Sequence, residues 1–256
     1  MKLSWKALLY IGLTLISLIL VGAQFAVYRN ISLITNDLFF TISVLPLQVG
    51  LTALILDMLL ERRVKLERLE KMNMVIGVFF SELGADLLRN ISPGYAGIGA
   101  IHDRLMINNN WKPDDFSNSL KILAGQKYDV NLGIEGLLEI KGILSRHRSL
   151  LVQLLENPIL LEHETFTNAL RAIFHLTEEL QHRKSFDGLP DSDLAHLNGD
   201  VARAYGLLIS EWVSYMAYLK DNYPYLFSLA TRTNPFDFAA SPIIGAAPIT
   251  PIPVSK

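Results

Sequence analysis

The sequence predicts an all-α protein: an N-terminal two-helix transmembrane hairpin, a second span continuing into a cytoplasmic stalk helix, then an antiparallel helical bundle and a Pro-rich tail. Three observations carry this. Two apolar runs, 7–27 and 38–60, contain a single charged residue between them, Asp57. The segments that follow repeat their apolar residues at spacings of three and four, the period of a helix face. No segment alternates apolar and polar residues as a half-buried strand does. The expected division is hairpin 1–60, stalk 61–92, bundle 93–233 and disordered tail 234–256.

Each run has the roughly 20 residues that a helix needs to cross the hydrocarbon core. Tyr10 and Tyr28 stand near the ends of the first, where aromatic rings favour the interface. Pro46 in the second is tolerated where neighbours or water satisfy the freed carbonyl. Lys2 and Lys6 precede the first run, and Arg62, Arg63, Lys65, Arg68 and Lys71 follow the second, while the short linker holds only Arg29. The positive-inside rule then places both termini in the cytoplasm, on a multi-pass protein of the cell (inner) membrane with the lipid bilayer as its first partner. A cleaved signal peptide ending at Val21-Gly22-Ala23 is the rival reading of the first run. Gln48 and Asp57 are the polar residues of the second. An intramembrane acid points to an ion path or a helix contact, whereas Asp57 one turn from the cytoplasmic end reaches interfacial water.

No stop signal separates Leu60 from Glu61, so the second span is expected to continue to about Ile91. Leu66, Leu69, Asn73, Ile76, Phe80, Leu83 and Leu87 form a heptad seam, with Asn73 as a polar register position. One reading is a parallel stalk joining copies of the chain into a homo-oligomer. The other is an amphipathic helix packed on its own domain, favoured by the extra width that Val75, Val78 and Phe79 give the face. Ser92-Pro93-Gly94 ends the helix. The connector 93–113 carries Gly94, Gly97 and Gly99 without the strand or the Gly-Lys-Ser/Thr of a phosphate loop.

Four helical segments follow. Asp114 or Asp115 caps the first, which runs to about Ala124. The second covers 132–156, with Leu137, Ile140, Leu144, Leu151 and Leu154 on one face. Asn157-Pro158 opens the third, which reaches about Arg183 through Phe166, Leu170, Ile173 and Leu180. Asp191 or Ser192 caps the fourth, striped by Val201, Tyr205, Leu208, Trp212, Tyr215 and Leu219. Five prolines between Asn234 and Pro253 make the tail unfit for helix. Its Pro248-Ile-Thr-Pro251 meets a generic Pro-x-x-Pro spacing.

Several chemistries are excluded. There are no cysteines, so disulfides, thiolate nucleophiles and Cys-ligated metal are ruled out. The net charge is −2, which supplies no footprint for nucleic acid. No Walker, Gly-x-Ser-x-Gly or His-Glu-x-x-His pattern is present. His163-Glu164 with Thr167 and Asn168 departs from the phospho-acceptor box of sensor histidine kinases, since Phe166 replaces the basic residue and the proline is missing. No family is inferred from it.

What remains is a set of acids and histidines. Glu178, Glu179 and His182 end the third bundle helix; Asp193 and His196 open the fourth. Glu179-x-x-His182 and Asp193-x-x-His196 have the i, i+3 spacing of carboxylate-bridged metal sites in helical bundles, with Glu135 and Glu139 as further donors. A solvated polar face explains them as well, along with Arg171 and His175. His147 falls on the apolar face between Leu144 and Leu151, as a core histidine. The fourth helix and its exit are rich in aromatic residues, a feature of partner surfaces and of cores alike. The expected function is a membrane-anchored interaction or regulatory module with no catalysis and no cofactor, engaging itself or another protein. The alternatives are a metal-dependent bundle enzyme and a channel or transporter subunit.

Overall fold

The computed structural model describes residues 5–27 and 33–244. Lys2, the linker residue Arg29 and the Pro248–Pro251 spacing lie outside them. The described residues form helices joined by loops, with one isolated antiparallel bridge between Tyr95 and Val130. The chain divides into two compact units, Met1–Leu69 and Glu70–Lys256.

The first unit contains α1, Trp5–Val27, and most of α2, Leu33–Phe79. The two helices lie antiparallel. Ser17 Oγ donates to the Ser43 carbonyl at 2.7 Å, and Leu13 lies against Gly50, where a Cβ would stand 3.4 Å from its Cδ1. Small residues let the backbones approach, as they do between helices in lipid. Thr14 and Thr52 donate to the carbonyls of Tyr10 and Gln48 one turn back, so neither hydroxyl needs water. One helix, Thr41–Gly94, is long and apolar enough to cross a membrane, with a stretch of mean hydropathy 1.9. Within α1, the apolar stretch among the described residues, Tyr10–Leu20, is shorter than a span. The described helices therefore supply one candidate span by length and composition, where the sequence led us to expect two.

The second unit is built around α9, Glu164–His182, and α10, Asp191–Asn222, which form its principal helix pair. Against them pack α3, Ala85–Ile91, α5, Pro113–Ala124, α6, Ile134–Arg146, and α7, Arg148–Leu155. Between α5 and α3 lies the short α4, Ile98–Ile101; α8, Pro158–Leu161, precedes α9, and α11, Pro224–Arg232, follows α10. The apolar periodicity is realised: Leu137, Ile140, Leu144, Leu151, Leu154, Phe166, Leu170, Ile173, Leu180, Val201, Tyr205, Leu208, Trp212 and Leu219 are all buried.

Four local expectations change. The helix 132–156 breaks at His147, whose φ −105° and ψ 14° leave the helical region. The break turns the ring off the Leu144–Leu151 stripe, so His147 is half-buried, with Nδ1 3.0 Å from the Ile143 carbonyl. The third segment divides into α8 and α9, because His163 takes the N-cap position and its Nδ1 accepts from the Phe166 N–H at 3.2 Å. Neither Asp191 nor Ser192 caps α10; Pro190 holds that position, with Asp191 in the first turn. The chain beyond Asn234 does not detach at once. Asn234 Nδ2 donates to the Leu105 carbonyl at 2.8 Å, and Phe236 is buried, so a side-chain anchor offsets the prolines nearby.

The seam splits as well. Ile76, Phe80, Leu83 and Leu87 are buried in their own unit, Asn73 is half-buried, and Leu66 and Leu69 are exposed. A π turn over Phe80–Gly84 separates α2 from α3. It widens one turn, which lets the consecutive Phe79 and Phe80 both face inward. Phe79 meets Phe166 edge-on at 5.3 Å; Phe80 stacks on Tyr215 and meets Trp212 edge-on, both at 5.3 Å.

Three tyrosines, Tyr95 and Tyr205 buried and Tyr128 half-buried, form a second cluster. Tyr95 lies 5.3 Å from Tyr128 and 5.9 Å from Tyr205, ring to ring. Tyr205 Oη and Ser92 Oγ share a 2.9 Å hydrogen bond, and Tyr128 covers Gly206, where a Cβ would come within 2.6 Å of the ring. Burial pushes all three phenols up, Tyr128 to about 12. A phenol whose folded value exceeds its unfolded value contributes stability that is present below about pH 10 and is lost as pH rises through the folded value. The denaturant midpoint should therefore fall between about pH 10 and about pH 12, and Tyr128→Phe should flatten that fall. An identical slope in the variant would show that other groups govern alkaline unfolding.

Candidate functional site

The antiparallel α9–α10 pair brings acids and histidines from both helices onto one strip. Arg183, just past α9, is its organising group. Its Nε and Nη2 donate to the two Asp193 oxygens at 2.8 and 2.6 Å, and its Nη1 donates to Glu179 Oε2 at 2.8 Å. This forked geometry suits a guanidinium. It raises the Arg183 pKa, chiefly through the Asp193 hydrogen bonds, and its hydrogen bond to Glu179 holds that carboxyl below the usual range. The Asp193 carboxyl is lowered by the same group.

One turn further in lies Asp200. It follows Leu197 and precedes Val201 on the buried face of α10, so its side chain is only 3% exposed. Arg203 Nη1 holds its Oδ1 at 3.2 Å. Its Oδ2 has no hydrogen-bond partner. Instead two imidazoles face it: His175 Nε2 at 3.4 Å from α9 and His196 Nε2 at 3.5 Å from α10. Glu179 closes the group, with Oε1 4.0 Å from His175 Nε2 and Oε2 3.8 Å from His196 Nε2. A buried carboxylate oxygen without a partner costs about 1–3 kcal/mol or more, so an orphan of this kind calls for a physical account.

Of the five residues that spacing had nominated, Glu179 and His196 meet here. Asp193 is committed to Arg183. Glu178 turns to α7 and accepts from Arg148 Nη2 at 2.8 Å, and His182 is exposed with Nδ1 on the Glu178 carbonyl. Glu135 and Glu139 are exposed. As the side chains stand, no three His, Asp or Glu donors among the described residues are arranged to hold a metal ion together. Sequence reasoning missed Asp200; it placed His175 on a solvated face, and His175 is exposed, but the ring's contact with the buried Asp200 went unread. The signal was present: His175-x-x-x-Glu179 and His196-x-x-x-Asp200 are two His–acid pairs, each one turn long, on neighbouring helices.

Two other features flank α10. Glu211 is buried beside a cavity of about 840 Å³ lined by Lys127, Tyr128, Arg203 and Ser214. Burial raises its carboxyl pKa, opposed by the Thr165 hydroxyl and His163. A second cavity of about 400 Å³ lies between the end of α2 and α10–α11, lined by Met74, Val78, Tyr215, Tyr218, Tyr225 and Leu226. Gln48 is exposed and Asp57 half-buried in the first unit.

Residues 68–232 match the family described as "Uncharacterized protein MJ1433, C-terminal helical domain". The chain is 40% identical over 235 residues to the uncharacterised protein MJ1433 of Methanocaldococcus jannaschii, covering 91% of this chain and 94% of that protein. No solved structure matches the chain.

Proposed function

We propose, for a chain that belongs to the MJ1433 family, the function of a membrane-anchored helical module that binds protein and performs no chemistry of its own. One observation carries the anchoring. Leu45, Leu47, Val49, Leu51, Ile55, Leu56, Met58, Leu59 and Leu60 of α2 are all exposed. A helix apolar on every side is stable where lipid, not water, surrounds it. The shorter α1 packs on it as the second arm of a hairpin, and the basic run from Arg62 to Lys71 favours the cytoplasm.

The binding part of the reading rests on exposed apolar surface in the second unit. Met74, at 64% exposure, and Tyr225, at 70%, border the 400 Å³ cavity. Leu66, at 58% exposure, gives the upper seam apolar surface that a second copy would cover. The chain has no cysteine, so single cysteines report cleanly. In intact cells, Asn30→Cys should react with a membrane-impermeant maleimide, while Ser4→Cys and Ser255→Cys should react only after permeabilisation. External labelling of Ser255→Cys would refute the topology. Oxidation of Leu66→Cys in membranes should give a disulfide-linked dimer; a monomer throughout would remove the self-association reading.

A further inference from the structure

We propose that His175, His196, Asp200 and Glu179 form a binding site for one divalent transition-metal ion of the zinc class. This goes beyond the anchoring role and does not depend on it.

The first argument is the orphaned oxygen. Asp200 Oδ2 is buried, has no hydrogen-bond partner, and is faced by two imidazole nitrogens. At 3.4 and 3.5 Å neither nitrogen makes a normal hydrogen bond to it. Each nitrogen instead stands at about the separation that two ligands of one small cation keep.

The second argument is spacing. Four ligands at about 2.0–2.1 Å around a tetrahedral ion stand roughly 3.3 Å from one another. The two His–Asp200 separations, 3.4 and 3.5 Å, lie close to that edge. The separation from His175 to the free Glu179 oxygen, Oε1, is looser at 4.0 Å, and His196 approaches Glu179 through Oε2, the oxygen that Arg183 holds, at 3.8 Å. The donors thus stop short of a closed site. The histidine side chains are 49% and 52% exposed, so both rings have room to rotate inward.

The third argument is the support around the ligands. Arg203 holds Asp200 by its other oxygen, Oδ1, and Arg183 holds Glu179 by Oε2. Each carboxylate is oriented from behind with Asp200 Oδ2 and Glu179 Oε1 left for an ion, as outer-shell partners do at metal sites. Two imidazoles with carboxylates select zinc, cobalt or nickel over magnesium or calcium, which take oxygen ligands. The two arginines weaken binding by their charge, which argues for an exchangeable ion.

The test uses the full-length, untagged protein in detergent, stripped with chelator and titrated with ZnCl2 by calorimetry and with CoCl2 by visible absorption. The expected result is one equivalent of zinc and a cobalt d–d spectrum of tetrahedral intensity. His175→Ala and His196→Ala, both at half-exposed positions, should each weaken zinc binding by at least about tenfold. His182→Ala, outside the cluster, should bind as the wild type does. Zinc should raise Tm in the wild type and in His182→Ala, but not in the two cluster variants. Absence of stoichiometric binding would overturn the proposal. So would binding that survives both cluster substitutions, since the ion would then sit elsewhere.

Discussion

Leu51→Arg is expected to release the protein from the membrane fraction. Leu51 is 59% exposed and lies about midway along the apolar part of α2, Thr41–Leu60. Arginine at the centre of a span costs about 2.5–3.5 kcal/mol, and the leucine it replaces contributes about 0.5 kcal/mol in the opposite sense. The sum, about 3–4 kcal/mol, shifts insertion by roughly two to three orders of magnitude. Carbonate extraction checks it: the wild type should stay in the pellet and Leu51→Arg should move to the supernatant. Leu66→Arg, equally exposed but within a segment of charged residues, should remain with the pellet. Full retention of Leu51→Arg would mean that α2 is not embedded at that depth.

Phe80→Ala should cost about 3–5 kcal/mol of folding stability. The ring is 2% exposed and packs on Phe79, Trp212 and Tyr215, so truncation leaves a cavity where the π turn meets α10. Gly84→Ala attacks the same junction from the opposite direction. A Cβ there would lie 2.6 Å from both Phe79 Cε1 and Phe80 Cδ1, inside any real contact distance. Overpacking of this kind costs about 1–3 kcal/mol. Both effects are read from chemical denaturation followed by circular dichroism. Val78→Ala, two residues from Phe80 but 47% exposed, is the matched control and should change little. Equal losses at Val78 and Phe80 would mean that the inward turn of the two phenylalanines is not what stabilises the junction.

The periodic residues show where sequence reading succeeds. A helix face needs only the spacing of its own apolar residues, so Leu137, Ile140 and Leu144 on α6, or Val201, Leu208 and Trp212 on α10, could be assigned to the core before any fold was known. Breaks within helices were less legible. His147 and His163 end or start helices without proline or glycine, through local backbone geometry and a ring nitrogen that satisfies the chain. The π turn was invisible for the same reason, since one extra residue in a turn leaves the composition unchanged.

The chain by itself determined the class: all helix, an apolar N-terminal part and a helical C-terminal part, each set by composition and by a period of 3.6. Only the tertiary structure decided which polar residues meet. Glu178 and Glu179 are adjacent in sequence, yet one goes to Arg148 and the other to the histidine cluster. Consecutive residues point about 100° apart on a helix, so the rotation of α9 against α7 and α10 selects between them. That rotation comes from side-chain ridges packing across helices far apart in the chain, and no spacing within α9 records it. The same packing carried Asp200 inward between two histidines.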